Sequence, residues 1–434
     1  MTLPLETLYT KQYQKQRALD NSAKPRRNFA MQPFAIYTPT RILFGESKLA
    51  EFAQHAANIG CHAFLVVGGG TVERLGFVQP LLDELQKHDV KVTFFRGIEP
   101  NPEAATINRA AQELKASGAD FILPFGGGST IDAAKAIAAL VGSNQSDIWE
   151  FVVGSPRAGQ LHAAIPIVAV PTTAATASEV THFSVVSNRV EGGKSVLAHE
   201  FLKPALAWLN PVFTQGLSDI TTQDGAADIL SHVFESYLLG GNDSKLADRY
   251  SESVMSTVLE ALPVLLADPK NLEARADLVW AATLALNDYQ LAGRKPAEFI
   301  LHSVEHSLSA KHPELAHGRG LATLYPAYFR WLAQNGRAVE RLALLGTRLF
   351  ALEGSEAERA DGFILAFEGW LRDNGLLQSL EQVGITEDEF EEIALYAVTT
   401  YGDGKQLNAL GALPQAAIVE IFQLTARQGS LAAV

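Results

Sequence analysis

Acidic and imidazole side chains spaced four residues apart carry the clearest chemistry in this chain. Asp228 and His232 would share one face of a helix, because about 3.6 residues make a turn. A carboxylate and several imidazoles that converge from separate helices are typical of a divalent-metal site. Four downstream histidines compete for the two remaining ligand positions, and the residue pattern does not choose among them: His302, His306, His312 and His317.

One short motif in the same region suggests a different enzyme. The segment His302-Ser-Val-Glu305-His306 matches H-x-x-E-H, the inverted zinc-peptidase signature, in which Glu305 would be the general base. A five-residue pattern with two free positions arises easily by chance. It also leaves the glycine-rich turns of the first half of the chain without a role, so the peptidase is a weaker alternative.

The segment Gly126–Ser129 is the strongest sign of a nucleotide ligand. It follows the apolar stretch Phe121–Pro124 and precedes a predicted helix that begins near Thr130. Glycines let the backbone approach a ligand, and the N–H groups of a helix's first turn attract anions, so a pyrophosphate is the natural occupant. The spacing matches neither G-x-G-x-x-G nor a P-loop. The alternative is a tight strand–helix turn that binds nothing.

A hydroxyl-rich turn, Pro171–Glu179, follows the apolar stretch Ile165–Val170. Threonine hydroxyls can bind phosphate or ribose oxygens, although serine and threonine also fill turns and cap helices.

The turn Gly68–Thr71 indicates which cofactor would bind. NAD-binding folds usually carry an acid after an early strand, where it holds the ribose 2′-hydroxyl. This turn has no acid before Glu73, which leaves room for a 2′-phosphate and favours NADP over NAD.

The elements that would position these residues fall into two domains after a basic extension. Residues 1–30 are basic and poor in apolar side chains, which predicts a flexible N-terminal extension. Apolar strands, glycine turns and amphipathic helices alternate over 31–212, as in an α/β dinucleotide-binding domain with a parallel sheet. Residues 213–434 show apolar positions at helical spacing and predict an all-α metal-binding and substrate domain.

Composition narrows the class of protein. A chain of 434 residues is long enough for two domains, and 47% apolar with 19% charged residues is typical of a globular protein. The net charge of −13 argues against a nucleic-acid partner. No apolar run approaches the roughly 20 residues of a membrane span. A single cysteine, Cys61, excludes intramolecular disulfides and fits a cytoplasmic location.

Taken together, the motifs resemble the iron-containing (group III) alcohol dehydrogenase family, and within it the NADPH-dependent aldehyde reductase and butanol dehydrogenase branch. The resemblance extends from about Phe34 to near the C-terminus. The segments that match the family's motifs are Thr38–Gly45, Gly97–Pro102, Gly126–Lys135, Pro171–Glu179, and Asp228-x-x-x-His232 with the downstream histidines. It implies the two-domain architecture that the family shares with dehydroquinate synthase.

The resemblance also implies a ligand set of one aspartate and three histidines, which fall on Asp228, His232, His302 and His317. His306 matches a family histidine that lies near the substrate without binding the metal, and it is the candidate catalytic residue. The segment between His306 and His317 is one residue longer than the family pattern, which leaves His312 as an alternative to His317.

The same resemblance assigns cofactor contacts. It implies Gly69, Gly70 and Thr71 beside the adenosine ribose, Asn101, Gly127, Gly128 and Ser129 at the pyrophosphate, Thr172 and Thr176, and Lys194 near the nicotinamide ribose. Asp132 and Thr173 belong to the same motifs and complete the set. Ala175 and Ala177 stand where the family usually has glycines.

The implied activity is hydride transfer between NADP(H) and a small alcohol or aldehyde whose oxygen is polarised by Fe²⁺ or Zn²⁺. The family pattern also implies a homodimer or larger homo-oligomer. Dehydroquinate synthase-like and glycerol dehydrogenase-like enzymes are alternatives with the same fold. The synthase needs several cationic residues for its substrate, whereas only Lys311 and Arg319 lie near the metal motifs.

Overall fold

The computed structural model describes residues 31–191, 193–239, 244–295, 299–409 and 411–428. The predicted N-terminal extension, residues 1–30, lies outside the described residues. The chain divides into two compact units. We call them the sheet unit (37–230 and 257–287) and the helical unit (the described residues among 1–36, 231–256 and 288–434).

A parallel sheet of six strands forms the centre of the sheet unit, in the spatial order β1-β8-β5-β4-β2-β3. Its strands are β1 (Arg41–Phe44), β2 (His62–Val67), β3 (Lys91–Arg96), β4 (Phe121–Gly126), β5 (Val168–Pro171) and β8 (Leu206–Leu209). A separate antiparallel hairpin consists of β6 (Phe183–Asn188) and β7 (Gly193–Ala198). The prediction of an α/β domain with a parallel sheet is confirmed.

Helices cover both faces of this sheet. They are α1 (Leu49–Ile59), α2 (Thr71–Arg74), α3 (Val78–Lys87), α4 (Ala104–Ser117) and α5 (Gly128–Gly142). Side chains of β2 alternate between two cores, since successive strand residues point to opposite faces. Leu65 and Val67 join the core beneath α1 and α3, whereas Phe64 and Val66 join the core beneath α4 and α5. Burial on both faces explains why β4, and β2 beyond its first residue His62, are apolar.

The strand order reverses direction at β2. The chain passes from β2 outward to β3 and then returns to β4 on the other side of β2, after which it continues away through β5 and β8. In open parallel sheets, ligands bind outside the carboxyl ends of the strands at such a switch point. The glycine turns that follow β2 and β4 lie at this position.

The helical unit contains most of the remaining helices, and the residues of two long helices are divided between the two units. Those two are α6 (Asp219–Leu239) and α7 (Lys245–Ala267). The sheet unit also holds α8 (Leu272–Ala285). The others are α9 (Ile300–Lys311), α10 (His317–Gln334), α11 (Val339–Phe350), α12 (Glu356–Asp373), α13 (Phe390–Thr400) and α14 (Gln415–Thr425).

The C-terminal half is helical, as predicted, with one addition. A two-stranded hairpin pairs β9 (Gln406–Ala409) with β10 (Gly411–Pro414) and buries Leu407 and Leu413. Strands this short carry too few alternating positions for the sequence pattern to reveal them. Residues 257–287 belong to the sheet unit, and the predicted domain boundary at 212–213 stays a prediction. Among the described residues, no helix combines the length and the apolar character needed to span a membrane.

Candidate metal centre and cofactor site

The glycine turn after β4 packs directly against the threonine turn after β5. A Cβ atom added at Gly128 would lie 2.6 Å from Cγ2 of Thr176, and one added at Gly127 would lie 3.2 Å from the Thr173 side chain. The backbone N–H of Thr172 donates to the carbonyl of Gly126 at 3.0 Å. The two motifs therefore form one surface, and any side chain at Gly128 would force the Thr176 side chain to shift.

This surface has the features of an anion site. Helix α5 begins at Gly128, and the N–H groups of a helix's first turn have no partner within the helix. The carbonyl of Gly127 accepts the first helical bonds, from Thr130 and Ile131. The positive end of the helix dipole and the hydroxyls of Thr172 and Thr176 would both favour a phosphate group here.

Asp132 and Lys135, one turn further along α5, bind protein groups. The carboxylate of Asp132 accepts a hydrogen bond from the Ser178 hydroxyl and another, at 3.0 Å, from the N–H of Val185. Burial raises the pKa of Asp132. These contacts join the glycine turn, the threonine turn and strand β6, which is a positioning role for a residue predicted to touch the cofactor.

Lys135 is fully buried, and sequence reasoning gave it no role. Its Nζ donates to the carbonyls of Thr181 and Phe183, at 2.9 and 2.8 Å. Burial lowers the pKa of Lys135 to about 8. Lys194, the predicted neighbour of the nicotinamide ribose, lies on β7 opposite Ser187 and is also buried.

Two arginines surround the predicted ribose turn, Gly69–Thr71. Arg74 donates from Nη1 to the carbonyl of Gly69 at 3.0 Å and from Nη2 to the hydroxyl of Thr71 at 2.9 Å. Arg96, at the end of β3, binds the carboxylate of Glu73 at 2.9 Å. The nearest acid is therefore neutralised by an arginine. Asn101, in the segment after β3, has a left-handed backbone with φ of 54°.

The helical unit brings four of the predicted histidines together. His232 comes from α6, His302 and His306 from α9, and His317 is the first residue of α10. Ring centroids are 5.0 Å apart for His232 and His302, 5.2 Å for His302 and His317, and 5.0 Å for His306 and His317. Asp228 is buried one turn before His232 on α6.

His312 makes other contacts. Its Nε2 lies 2.8 Å from the carboxylate of Glu389, and its Nδ1 lies 3.4 Å from that of Glu314. The residue ends α9 as its C-cap, before the short loop that leads to His317. Of the two histidines that the longer loop left open, His317 is the one in the histidine cluster.

Two buried glutamates contact the histidine cluster, and sequence reasoning missed both as partners of histidine. Glu235 accepts a hydrogen bond from Nδ1 of His302 at 2.8 Å, and Glu305 accepts one from Nδ1 of His317. An ionised carboxylate can only accept, which assigns the ring proton to Nδ1 in both histidines. Glu305, the would-be peptidase base, is fully buried and bound to His317.

Comparison with known proteins decides the family. The family model for iron-containing alcohol dehydrogenases matches residues 39–211, and the model for the C-terminal part of Fe-containing alcohol dehydrogenases matches residues 222–424. The chain belongs to the iron-containing alcohol dehydrogenase family. The resemblance drawn from the motifs is thereby confirmed, and the zinc-peptidase alternative is set aside.

Relatives within the family cover nearly the whole chain. The NADH-dependent butanol dehydrogenase B of Clostridium acetobutylicum is 30% identical over 387 residues, which is 87% of this chain and 97% of that protein. The NADPH-dependent aldehyde reductase YqhD of Escherichia coli is 33% identical over 357 residues, or 82% of this chain and 90% of that protein.

A solved structure of the family has the same fold. The NADH-dependent butanol dehydrogenase A of Thermotoga maritima is 30% identical, with a TM-score of 0.85 over 92% of this chain and all of that one. As an iron-containing alcohol dehydrogenase, the chain is an oxidoreductase that interconverts alcohols and aldehydes with a nicotinamide cofactor. The named relatives differ in their cofactor, NADH or NADPH.

Proposed function

We propose that this alcohol dehydrogenase uses NADP(H), acts mainly as a reductase of small aldehydes, and depends on one Fe²⁺ or Zn²⁺ ion. The observation that carries the proposal is the histidine cluster, in which imidazoles from three helices meet beside buried carboxylates. Its ligands would be Asp228, His232, His302 and His317.

The donor set fits a divalent ion. The ring centroids of His232 and His317 lie 5.0 and 5.2 Å from that of His302, which brings three imidazoles close enough together that they could hold one ion. Imidazole and carboxylate ligands suit both iron and zinc. A bound ion would supply a Lewis acid to the substrate oxygen.

The cofactor would bind along the carboxyl ends of β2, β3, β4 and β5. Support comes from the surface formed by the Gly127–Ser129 and Thr172–Thr176 turns, which suits a pyrophosphate. Gly69, Gly70 and Thr71 would contact the adenosine ribose, with Asn101 nearby and Lys194 at the nicotinamide ribose. Asp132 would act by holding the two turns together.

The preference for NADP rests on charge at the ribose turn. Arg74 contacts Gly69 and Thr71, and Arg96 neutralises Glu73. With Glu73 paired to Arg96, the guanidinium of Arg74 is suited to a 2′-phosphate, since guanidinium binds phosphate oxygens through paired N–H donors.

His306 would relay the proton that aldehyde reduction consumes. It is buried, and its ring centroid lies 5.0 Å from that of His317 and 6.0 Å from that of Tyr401. Burial raises the pKa of Tyr401 well above its ordinary value, so its hydroxyl keeps its proton at neutral pH. The predictions of a homo-oligomer and of a cytoplasmic location remain proposals.

The test is an absorbance assay. Purified protein, loaded with Fe²⁺ or Zn²⁺, is mixed with NADPH or NADH and a panel of aldehydes that includes butanal. We expect aldehyde-dependent loss of the reduced-nicotinamide absorbance, faster with NADPH, and none with the Asp228→Ala variant. Failure to turn over any aldehyde would refute the activity, and equal or faster turnover with NADH would refute the cofactor preference.

A further inference from the structure

The pattern H-x-x-E occurs in two helices of the candidate metal centre, α6 with Asp228 and His232 and α9 with His302 and His306. It is His232-Val-Phe-Glu235 in α6 and His302-Ser-Val-Glu305 in α9. In each motif the glutamate is hydrogen-bonded to a histidine on a different helix. Glu235 of α6 binds His302 of α9, and Glu305 of α9 binds His317 of α10.

Glu235 holds both the ring and the start of α9. Its Oε1 accepts from Nδ1 of His302 at 2.8 Å and from the backbone N–H of His302 at 2.9 Å, and its Oε2 accepts from the N–H of Leu301 at 3.1 Å. The N-cap residue of α9, Phe299, offers no side-chain cap. A carboxylate from α6 thus caps α9, where the helix dipole favours a negative charge.

Glu305 is enclosed between α9 and α10. Gly320, one turn into α10, makes room for it, because a Cβ atom at that position would lie 2.8 Å from Cγ of Glu305. The Glu305 side chain is wholly excluded from solvent. A buried carboxylate is costly unless it is hydrogen-bonded; the Nδ1 proton of His317 is the partner of Oε2, whereas Oε1 has no hydrogen-bond partner among the described residues.

We propose that Glu235 and Glu305 are positioning residues for the metal centre: a carboxylate of α6 orients an imidazole of α9, and a carboxylate of α9 orients an imidazole of α10. Each carboxylate holds the proton of its histidine on Nδ1, which leaves Nε2 as the nitrogen that would hold the ion, and each carboxylate fixes the angle of the ring. Carboxylates in this position raise the basicity of imidazole ligands and strengthen metal binding. The inference rests on the proposed metal site.

A measurement of metal affinity can also show whether Glu305 binds the ion directly. Glu305, His306 and His317 each place a possible ligand atom within 4.8 Å of the others, so Glu305 could bind an ion directly. Loss of an orienting carboxylate weakens metal binding by about 10- to 100-fold. Loss of a direct ligand removes a metal–oxygen bond and should reduce affinity well beyond that range.

The experiment measures metal affinity without substrate. Co²⁺ and Zn²⁺ are titrated into metal-free wild-type protein and into the variants Glu235→Ala, Glu235→Gln, Glu305→Ala and Glu305→Gln, and the visible spectrum of bound Co²⁺ is recorded. Glutamine retains an acceptor for the Nδ1 proton, so it should rescue part of the loss. The matched control is Glu389→Gln, which alters the carboxylate beside His312.

We expect affinity to fall about 10- to 100-fold in each alanine variant, with a smaller fall in each glutamine variant, an altered Co²⁺ spectrum and no change in Glu389→Gln. Unchanged affinity and spectrum in the folded variants would overturn the proposal, and so would a loss far above 100-fold at Glu305. If an alanine variant does not fold, the near-isosteric glutamine variant decides. A wild type that binds metal but reduces no aldehyde would refute the proposed function alone.

Discussion

At Ala177 the backbone adopts a left-handed conformation, with φ of 50°, in the turn that packs against the α5 N-terminus. A side chain with a Cβ is strained in this region, where glycine is not. We expect Ala177→Gly to stabilise the protein by about 1 kcal/mol. The measurement is urea unfolding of both proteins.

Ala175 provides the matched control for that substitution. It is the other alanine where the family usually has glycine, and its φ is not positive. Ala175→Gly should therefore give no gain, and should destabilise slightly because glycine loses more backbone entropy on folding. Equal effects of the two substitutions would show that strain at Ala177 is not the cause.

The ribose turn offers a second test at the scale of one residue. Gly69→Asp places a carboxylate beside the expected 2′-phosphate, and like charges about 4 Å apart repel by about 1 kcal/mol even at the dielectric constant of water. We expect the ratio of kcat/KM for NADPH to that for NADH to fall at least about fivefold. Steady-state kinetics with both cofactors measures it.

The control for Gly69→Asp is Gly369→Asp, which makes the same charge change on α12, where an added Cβ would meet no atom within 4 Å. The cofactor ratio of that variant should match the wild type. A wild-type ratio in Gly69→Asp itself would contradict the assignment of this turn to the ribose.

At the scale of elements, Lys135 ties α5 to the segment that leads into β6. Burial holds its pKa at about 8 in the folded state, below the ordinary value of 10.5. The unfolded chain therefore binds more protons between these two pH values, and the contribution of Lys135 to stability rises with pH across them. That contribution is fully present above 10.5 and is lost as pH falls through 8.

Replacement of Lys135 by methionine, which does not titrate, removes this dependence of stability on pH. We expect the free energy of unfolding of wild type, relative to Lys135→Met, to rise by up to about 3 kcal/mol between pH 8 and pH 10.5. Denaturant unfolding at several pH values measures the difference. A difference that stays flat, or falls, across this interval would contradict the assigned pKa shift.

The end of α6, the helix that carries His232, is held by buried arginines. Arg294 donates to the carbonyl of Ser236 and Arg341 to that of Tyr237, both at 3.0 Å, and both guanidinium groups pair with Asp248. The cations thus compensate the negative end of the helix dipole.

Removal of one arginine leaves the buried carboxylate of Asp248 with one of its two cationic partners missing. We expect Arg341→Ala to lower the free energy of unfolding by about 3–5 kcal/mol. The exposed Arg372→Ala variant is the control and should change it by less than about 1 kcal/mol. Similar small losses in both variants, measured by urea unfolding, would show that this buried network contributes little.

Across the whole molecule, the fold was predictable because its signals are local. Apolar strands that end in glycine turns, such as Gly126–Ser129, and helices with regular apolar spacing can each be recognised within a few residues. The hairpin β9–β10 was missed since four-residue strands leave almost no alternation. The placement of residues 257–287 in the sheet unit depends on packing that no local pattern records.

The sequence predicted which residue types form the candidate site, but it did not predict which side chains hydrogen-bond to one another across helices. The spacing of Asp228 and His232 predicted a shared helix face, but the roles of Glu235 and Glu305 depend on contacts between different helices. The choice between His312 and His317 likewise depends on tertiary contact, because His312 meets Glu389, 77 residues later in the chain.

The most direct test of a metal-dependent aldehyde reductase is NADPH oxidation with butanal by protein stripped of metal and then reloaded with Fe²⁺ or Zn²⁺. We predict that stripped wild type is inactive, that reloading restores it, and that reloading restores His312→Ala but not His317→Ala. Full activity in stripped wild type, or rescue of His317→Ala together with loss in His312→Ala, would contradict the account.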